Sequence, residues 1–468
     1  MLFRWLPDHF WTFYSESMRK PDDMPQRFKV TMIDQMCQMV LQTAKLCENI
    51  GFAHQLNVTR GFFESMTGLL CICDESPITH SIVYVVKSIS SLVTHFCDTL
   101  QLDFCRPATD DNDDLAVGDD VRTVDDNFDG VPVRFYRPYP ESDTTPKPAI
   151  VYIHGAVVMG TIDVWDSLIR MYAANINATI VYVEYRWAPE HGFPAPLDDC
   201  MTVTRWVLKN AHHYQIDPNS ISIQGDSAGA VIAAVITQTI AQEHQDDSRN
   251  PELKMLILMM PLLQGLDLNL PSHNSNNDLF SGVLSKLLVA KFWIWYMGLD
   301  GDDYVTAILQ GRHLPEEFRR SERYQKIIGH DLLPDVFRTD ISGNIPTTIN
   351  TNMNWTEHGE DDAVEKLAPY FLNPKFSPFM VENISPHHPH TLIITGGLDI
   401  LRDDGVIYAN RLRRAGVQVW WRHFEKGFHS CNAYWHGMIK IEIGHQIQKE
   451  TVDLVRSYLH EPNDRIYS

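Results

Sequence analysis

"ISIQGDSAGAVIAAV", Ile221–Val235, is the stretch from which the rest of the chain can be read. An apolar, β-branched run ends at Gly225, Ser227 follows at the turn, and Gly229 and Ala230 open an uncharged stretch of helical character. Glycines two before and two after the serine let strand and helix approach, while the strained turn pushes the hydroxyl out of the sheet; this is the G-x-S-x-G nucleophile elbow. The amino terminus of the following helix favours negative charge developing beside that hydroxyl.

A hydroxyl is a poor nucleophile until an imidazole takes its proton and an acid holds the imidazole. Downstream, Asp399 stands just beyond the apolar run "TLIITG" (391–396), and His429 stands just beyond "VQVWWRHF" (417–424). Both therefore fall on loops after successive predicted strands, in the chain order serine, acid, histidine that this elbow uses. The competing readings are an Asp399 that only caps the helix carrying Asp403 and Asp404, and a His429 that is one of 21 histidines.

Other runs share the character of the elbow strand: "VPVRFYRP" (131–138), "AIVYIH" (149–154), "ATIVYVEY" (178–185) and "LKMLILMM" (253–260). Lacking clean alternation and mostly separated by helix-length segments, they predict strands buried on both faces of a mostly parallel sheet. Residues 25–105 carry apolar side chains at helical spacing, and the aspartate-rich run "TDDNDDLAVGDDVRTVDD" (109–126) reads as a solvated connection. Between 261 and 388 the strand–helix rhythm breaks around the aromatic "LLVAKFWIWYMG" (287–298), which predicts an insertion capping the strand ends. The expected organisation is a helical segment over 1–108 contributing to the cap, a linker and first-strand start over 109–128, a catalytic core over 129–260 and 389–460, and a cap over 261–388.

Composition narrows the partners. With 39 basic and 60 acidic residues the net charge is −21, an unfavourable field for a phosphate backbone, so nucleic acid is not expected. A neutral, apolar small molecule suits the chain better. The eight cysteines are too few for a disulfide framework; Cys71-Ile72-Cys73 lacks paired C-x-x-C spacing, and His387-His388-Pro389-His390 reads as a solvated loop, so no metal is expected. No run reaches the ~18 uncharged apolar residues of a membrane span, although 81–96 is apolar enough for peripheral membrane contact. Sequons stand at Asn57, Asn177, Asn354 and Asn383 and matter only in a secretory lumen.

With these motifs in place the chain resembles the hormone-sensitive lipase group of α/β hydrolases, in its arylacetamide deacetylase and neutral cholesterol ester hydrolase branch. "YRWAPEHGFPAPLDD" (185–199), "GDSAGA" (225–230), "DLNLPS" (267–272), "DILRDDG" (399–405) and "GFHS" (427–430) carry the resemblance, over roughly residues 120–460. It implies the α/β-hydrolase fold, an eight-stranded-type, mostly parallel sheet flanked by helices. It also implies Ser227 as nucleophile, Asp399 as acid, His429 as base, a structural role for the RWAPEH segment with Glu190 outside catalysis, and no cofactor. The implied activity is that of a serine carboxylesterase, lipase or deacetylase on neutral ester, aryl amide or lipid substrates. The implied location is the endoplasmic reticulum, the chain beginning after the branch's usual anchor, with the cytosol as the alternative.

"VYIHGAVVMGT" (151–161) departs from the pattern: the group reads H-G-G-G-x-x-x-G, whereas His154–Gly160 is one residue shorter and has two fewer glycines. A cysteine that the branch carries in this loop is missing too. The oxyanion donors then fall to Gly155, Ala156 and Ala228, with the β-branched Val157 expected to leave the hole. The aromatic residues Phe292, Trp293, Trp295 and Tyr296 are expected to line the substrate pocket. The alternative function is a weak or inactive small-molecule-binding protein on the same scaffold, which the shortened loop would permit.

Overall fold

Eight strands form one sheet in the order β1-β2-β4-β3-β5-β6-β7-β8 in a computed structural model, which describes residues 115–118, 120–138, 145–158, 162–277, 279, 283–299, 302–338, 357–436 and 440–460. The expected helical segment over 1–108, the apolar run at 81–96, the first part of the acidic run (109–114) and the sequons at Asn57 and Asn354 lie outside the described residues.

The strands are β1 (Arg122–Phe128), β2 (Val131–Arg137), β3 (Lys147–Ile153), β4 (Thr179–Val183), β5 (Ile216–Asp226), β6 (Met255–Met259), β7 (His390–Gly396) and β8 (Val419–Phe424). From β4 to β8 neighbouring strands run parallel, whereas β2 meets both β1 and β4 antiparallel. Every residue of β4 and β6 is buried, as expected of central parallel strands covered on both faces. The edge strand β1 is different: its pattern is largely exposed, and it begins inside the run expected to be a solvated connection. Its aspartates face solvent, which keeps an open edge from pairing with other chains. Asp129 and Gly130, at φ of 50° and 95°, close the hairpin with the backbone that a D-G pair favours.

The helices, in chain order, are α1 (Ile162–Ile176), α2 (Ala195–Asn210), α3 (Gly229–Asp246), α4 (Pro271–Ser275), α5 (Lys286–Tyr296), α6 (Asp302–Leu309), α7 (Glu316–Arg319), α8 (Glu322–Ile328), α9 (Glu357–Phe371), α10 (Arg402–Arg414) and α11 (Glu442–His460). Helix α3 is buried from Gly229 through Gln238 almost without interruption, so the helix that follows the elbow is a core element rather than an amphipathic one. Six of the helices, α4 to α9, fall between β6 and β7, where the sequence predicts an insertion. Residues 431–449 belong to a unit other than the one that holds the sheet; within them Gln448 Nε2 donates to the Asn432 carbonyl at 2.9 Å and Ile441 N–H to the Tyr434 carbonyl at 2.9 Å. Among the described residues, no helix is long and apolar enough to cross a membrane.

Candidate active site

The elbow is built by close approach. A Cβ on Gly225 would meet the Gly229 carbonyl oxygen at 2.6 Å, and one on Gly229 would meet the carbonyl oxygens of Ile153 and His154 at 2.4 Å. Strand β5, helix α3 and the loop after β3 therefore touch at backbone distance, with no room for side chains at either glycine. Between them Ser227 has φ of 48°, a left-handed backbone that costs a non-glycine residue about 1–2 kcal/mol. That conformation is held by Ser227 N–H donating to the Met259 carbonyl at 2.9 Å and by the Ser227 carbonyl accepting from Leu262 N–H at 3.0 Å.

Ser227 Oγ lies 2.9 Å from Nε2 of His429, whose Nδ1 lies 3.0 Å from Oδ2 of Asp399. A carboxylate oxygen accepts, so Nδ1 carries the ring proton and Nε2 is left with a lone pair towards the serine hydroxyl. Asp399 and His429 are 1% and 7% exposed, which keeps water from competing for either hydrogen bond. The three residues follow the carboxyl ends of β5, β7 and β8, so the parallel sheet delivers them to one edge.

Asp399 is also a turn residue: its Oδ1 accepts from Leu401 N–H at 2.9 Å, whereas helix α10 has Leu401 at its N-cap and no side-chain cap, so Asp399 does not cap it. The loop around it is braced by residues the sequence reading does not single out as site residues. Asn276 Nδ2 donates to the carbonyls of Gly397 and Asp399, both at 3.0 Å, and Ser272 Oγ donates to the Ile400 carbonyl at 2.8 Å. Asp403 and Asp404 face away from His429 into this brace. Asp403 accepts from Ser272 N–H at 2.7 Å, and Asp404 accepts from Leu263 N–H at 3.2 Å and Gln264 Nε2 at 2.9 Å. Burial pushes the Asp404 carboxyl up to about 8 and the Asp226 carboxyl, next to Ser227 and bonded to Tyr152 and Gln224, up to about 7.

The shortened loop after β3 keeps backbone against the elbow. A Cβ on Gly155 would stand 3.1 Å from Ser227 Cβ, and Ala156 takes φ of 51°, the left-handed conformation usually left to glycine. Val157 is 3% exposed, and its carbonyl accepts Ala188 N–H at 3.0 Å. That bond is the RWAPEH segment's hold on the loop, while Glu190 is exposed. Tyr185 adds a second hold, its hydroxyl donating to the His154 carbonyl at 2.8 Å and its ring stacked 4.3 Å from the His154 imidazole. Burial holds that imidazole down at about 4, so it stays neutral beside the elbow. The Ala228 N–H, ahead of the first turn of α3, makes no hydrogen bond among the described residues. Gly160, the last residue of the motif, lies outside the described residues.

A small apolar pocket of about 10 Å³, room for about one water, opens between Val157, Ala228, Val231, Leu262, Phe292, Trp293 and Tyr296. Three of the four aromatic residues expected there line it. Trp295 does not: Phe292, Trp293 and Tyr296 share one side of α5 at spacings of one and four, whereas Trp295 points elsewhere, its ring 5.7 Å from that of Phe292. The pocket wall is backed by a cluster in which Phe376 lies 5.1 Å from Trp293 and 5.2 Å from Tyr296.

These features agree with the comparisons to known proteins. A profile of the alpha/beta hydrolase fold matches residues 150–319 and 345–433. Neutral cholesterol ester hydrolase 1 of Bos taurus is 34% identical over 318 residues, covering 66% of this chain and 74% of that protein. Arylacetamide deacetylase of Rattus norvegicus is 33% identical over 350 residues, covering 72% and 81%. Among solved structures, an esterase of Pyrobaculum calidifontis has a TM-score of 0.52 at 22% identity, over 82% of this chain and 99% of that one. EstE1, a thermostable carboxylesterase from a metagenomic library, has a TM-score of 0.51 at 19% identity, over 74% and 90%. At those identities the solved structures show the fold alone, and it is the matched profile and the sequence relatives that assign the lineage. The chain belongs to the α/β-hydrolase family, in the branch of the arylacetamide deacetylases and neutral cholesterol ester hydrolases.

Proposed function

We propose that the chain is a serine carboxylic ester hydrolase that cleaves neutral, apolar esters or aryl amides with Ser227 as nucleophile, His429 as general base and acid, and Asp399 as the residue that orients and charge-balances the imidazole. The observation that carries the reading is the continuous relay from Ser227 Oγ to His429 Nε2 at 2.9 Å and from His429 Nδ1 to Asp399 Oδ2 at 3.0 Å.

In the first half-reaction His429 Nε2 takes the hydroxyl proton as Oγ bonds to the substrate carbonyl carbon. The oxyanion is held by the Ala228 N–H and by Gly155 or Ala156 of the shortened loop, and the imidazolium then protonates the leaving oxygen or nitrogen. In the second, His429 draws a proton from water, the acyl group leaves as acid, and Ser227 is restored. The residues need no metal or organic cofactor for these steps. The apolar lining of the pocket favours an acyl group without charge.

The relatives' names place cholesterol esters and arylacetamides among their substrates, and we extend that class, neutral lipid esters and aryl amides, to this chain. We place the protein in the endoplasmic reticulum or on its membrane, a reading supported by the exposure of Asn177 and Asn383 in their sequons. The alternative, a binding protein on the same scaffold, has no use for a complete relay at a strained serine. Labelling with a fluorophosphonate separates the two. The hydrolase reading requires one rapidly labelled site that Ser227→Ala removes, together with turnover of p-nitrophenyl esters; equal labelling of the alanine variant would overturn it.

A further inference from the structure

At the edge of the sheet opposite the elbow, three side chains converge that the ester chemistry does not use. His244 stands in the last turn of α3, Glu252 in the loop leading to β6, and His387 in the loop leading to β7. Ser227, Asp399 and His429 instead follow the carboxyl ends of their strands.

His244 Nδ1 lies 2.6 Å from the carbonyl oxygen of Asn250. A carbonyl only accepts, so Nδ1 carries the proton and Nε2 of the neutral ring presents a lone pair. That lone pair lies 3.1 Å from Oε1 of Glu252, and Nδ1 of His387 lies 3.1 Å from the same oxygen. One nitrogen lone pair facing a carboxylate oxygen is repulsive unless a positive charge stands between them. A proton on His244 is one way to supply it; a cation shared by all three residues is the other. The three ligand atoms lie within 4.8 Å of one another. Around a tetrahedral zinc with bonds of 2.0–2.1 Å, neighbouring ligand atoms stand about 3.3 Å apart, which the two 3.1 Å separations nearly match. The hydrogen bond from the far nitrogen of His244 to a backbone carbonyl is the outer contact that ligating imidazoles use to fix their tautomer.

We propose that His244, Glu252 and His387 bind one Zn²⁺, with solvent in the fourth position. The site is open enough for that: the side chains of Glu252 and His387 are 49% and 42% exposed. Two imidazoles and one carboxylate select a borderline transition ion over Ca²⁺ or Mg²⁺, which take oxygen ligands. The His387–His390 tract is not itself the ligand set. His388 turns its Nδ1 to the Pro389 carbonyl at 3.0 Å, and His390 packs its ring 5.4 Å from Trp420 and 5.3 Å from Tyr458. The partners of His387 come instead from the end of α3 and from Glu252, 135 positions earlier. A metal here clamps the far end of the elbow helix to the loops that feed two central strands, so its effect is on stability and not on the ester reaction.

The test uses the full chain, stripped with chelator and brought to equilibrium with Zn²⁺ near neutral pH. The parent binds one more zinc per chain than His244→Ala, Glu252→Gln or His387→Ala, whereas His212→Ala, at an exposed histidine outside the cluster, keeps the parent's stoichiometry. Zn²⁺ raises the Tm of the parent by a few degrees above any shift in the three variants. Co²⁺ gives a tetrahedral visible absorption that the same three variants lose. Ester turnover of the zinc-free protein is the same in all of them, so the outcome does not depend on the role of Ser227. Should a histidine variant misfold, the Glu252→Gln variant, changed at an exposed side chain, decides. Equal zinc uptake by the parent and the folded cluster variants would overturn the site and leave the three residues as a plain ion-pair network.

Discussion

The Val157 carbonyl accepts the N–H of Ala188 at 3.0 Å, and this bond ties the shortened loop after β3 to the segment that runs beneath it. Val157 lines the same apolar pocket as Ala228, and Ala156 before it takes φ of 51°. The loop thus follows a strained path through a non-glycine residue, Ala156.

Ala156→Gly removes the penalty of a Cβ in left-handed backbone. It is expected to stabilise the protein by about 1 kcal/mol, read as a higher midpoint in denaturant with unchanged slope. A lower midpoint would show that the methyl group packs usefully enough to outweigh the strain.

On the proposed reading, in which Ala228 and one of Gly155 and Ala156 hold the oxyanion, rebuilding the loop to H-G-G-G length and sequence adds a third donor. One oxyanion donor is worth roughly 3 kcal/mol, so turnover should rise about 10²–10³-fold with labelling still confined to Ser227. A folded, rebuilt protein with no gain would place the limit elsewhere or favour the binding alternative.

Asp399 and Asp404 are separated by five positions and by function. Asp399→Asn is expected to lower ester turnover by about 10⁴, because the amide no longer fixes the His429 tautomer. Asp404→Asn leaves turnover within ~10-fold, since its contacts are the Leu263 N–H and the Gln264 amide. Equal losses in the two variants would move the acid role or make the brace indispensable.

Stability should peak near pH 6. Burial holds His154, His313 and His388 down at about 4 and His273 at about 3. Their contribution is complete above the unfolded histidine value of about 6.5 and is lost as pH falls towards 4. Asp226 and Asp404, pushed up to about 7 and about 8, act in the opposite sense. Theirs is complete below the unfolded carboxyl value of about 4 and is lost as pH rises to 7–8. Asp404→Asn should therefore flatten the alkaline limb by about 1.4 kcal/mol per pH unit, measured by denaturant unfolding at a series of pH values. An unchanged alkaline slope would refute the assignment.

Asn177, exposed at the end of α1, and Asn383, exposed before β7, are both accessible on the folded surface. Expression through the secretory pathway should give a glycosidase-sensitive mass shift that shrinks in Asn177→Gln and in Asn383→Gln. Absence of any shift from protein made in its own cells would favour the cytosol.

Much of the fold was legible in the residues because it rests on local chemistry. Seven apolar runs announced seven strands, since strands buried on both faces must be apolar along their length. The eighth, β1, is polar because it is an edge, so the reading placed only a first-strand start at the end of the acidic linker over 109–128. The elbow around Ser227 was legible for the same kind of reason: two glycines at fixed spacing are required because a Cβ at either would stand only 2.4–2.6 Å from backbone atoms.

What the chain determined by itself, then, was every feature with a period or a fixed spacing: the buried strands, the elbow, and the order of serine, acid and histidine. Tertiary structure alone decided which distant groups meet. Asn276 reaches the Asp399 carbonyl across 123 positions, His387 meets Glu252 across 135, and Trp295 is turned out of a pocket that its neighbours line. No local pattern encodes such meetings, because they depend on how parallel strands order themselves in the sheet and on which side of a helix is left facing a neighbour after the core has packed.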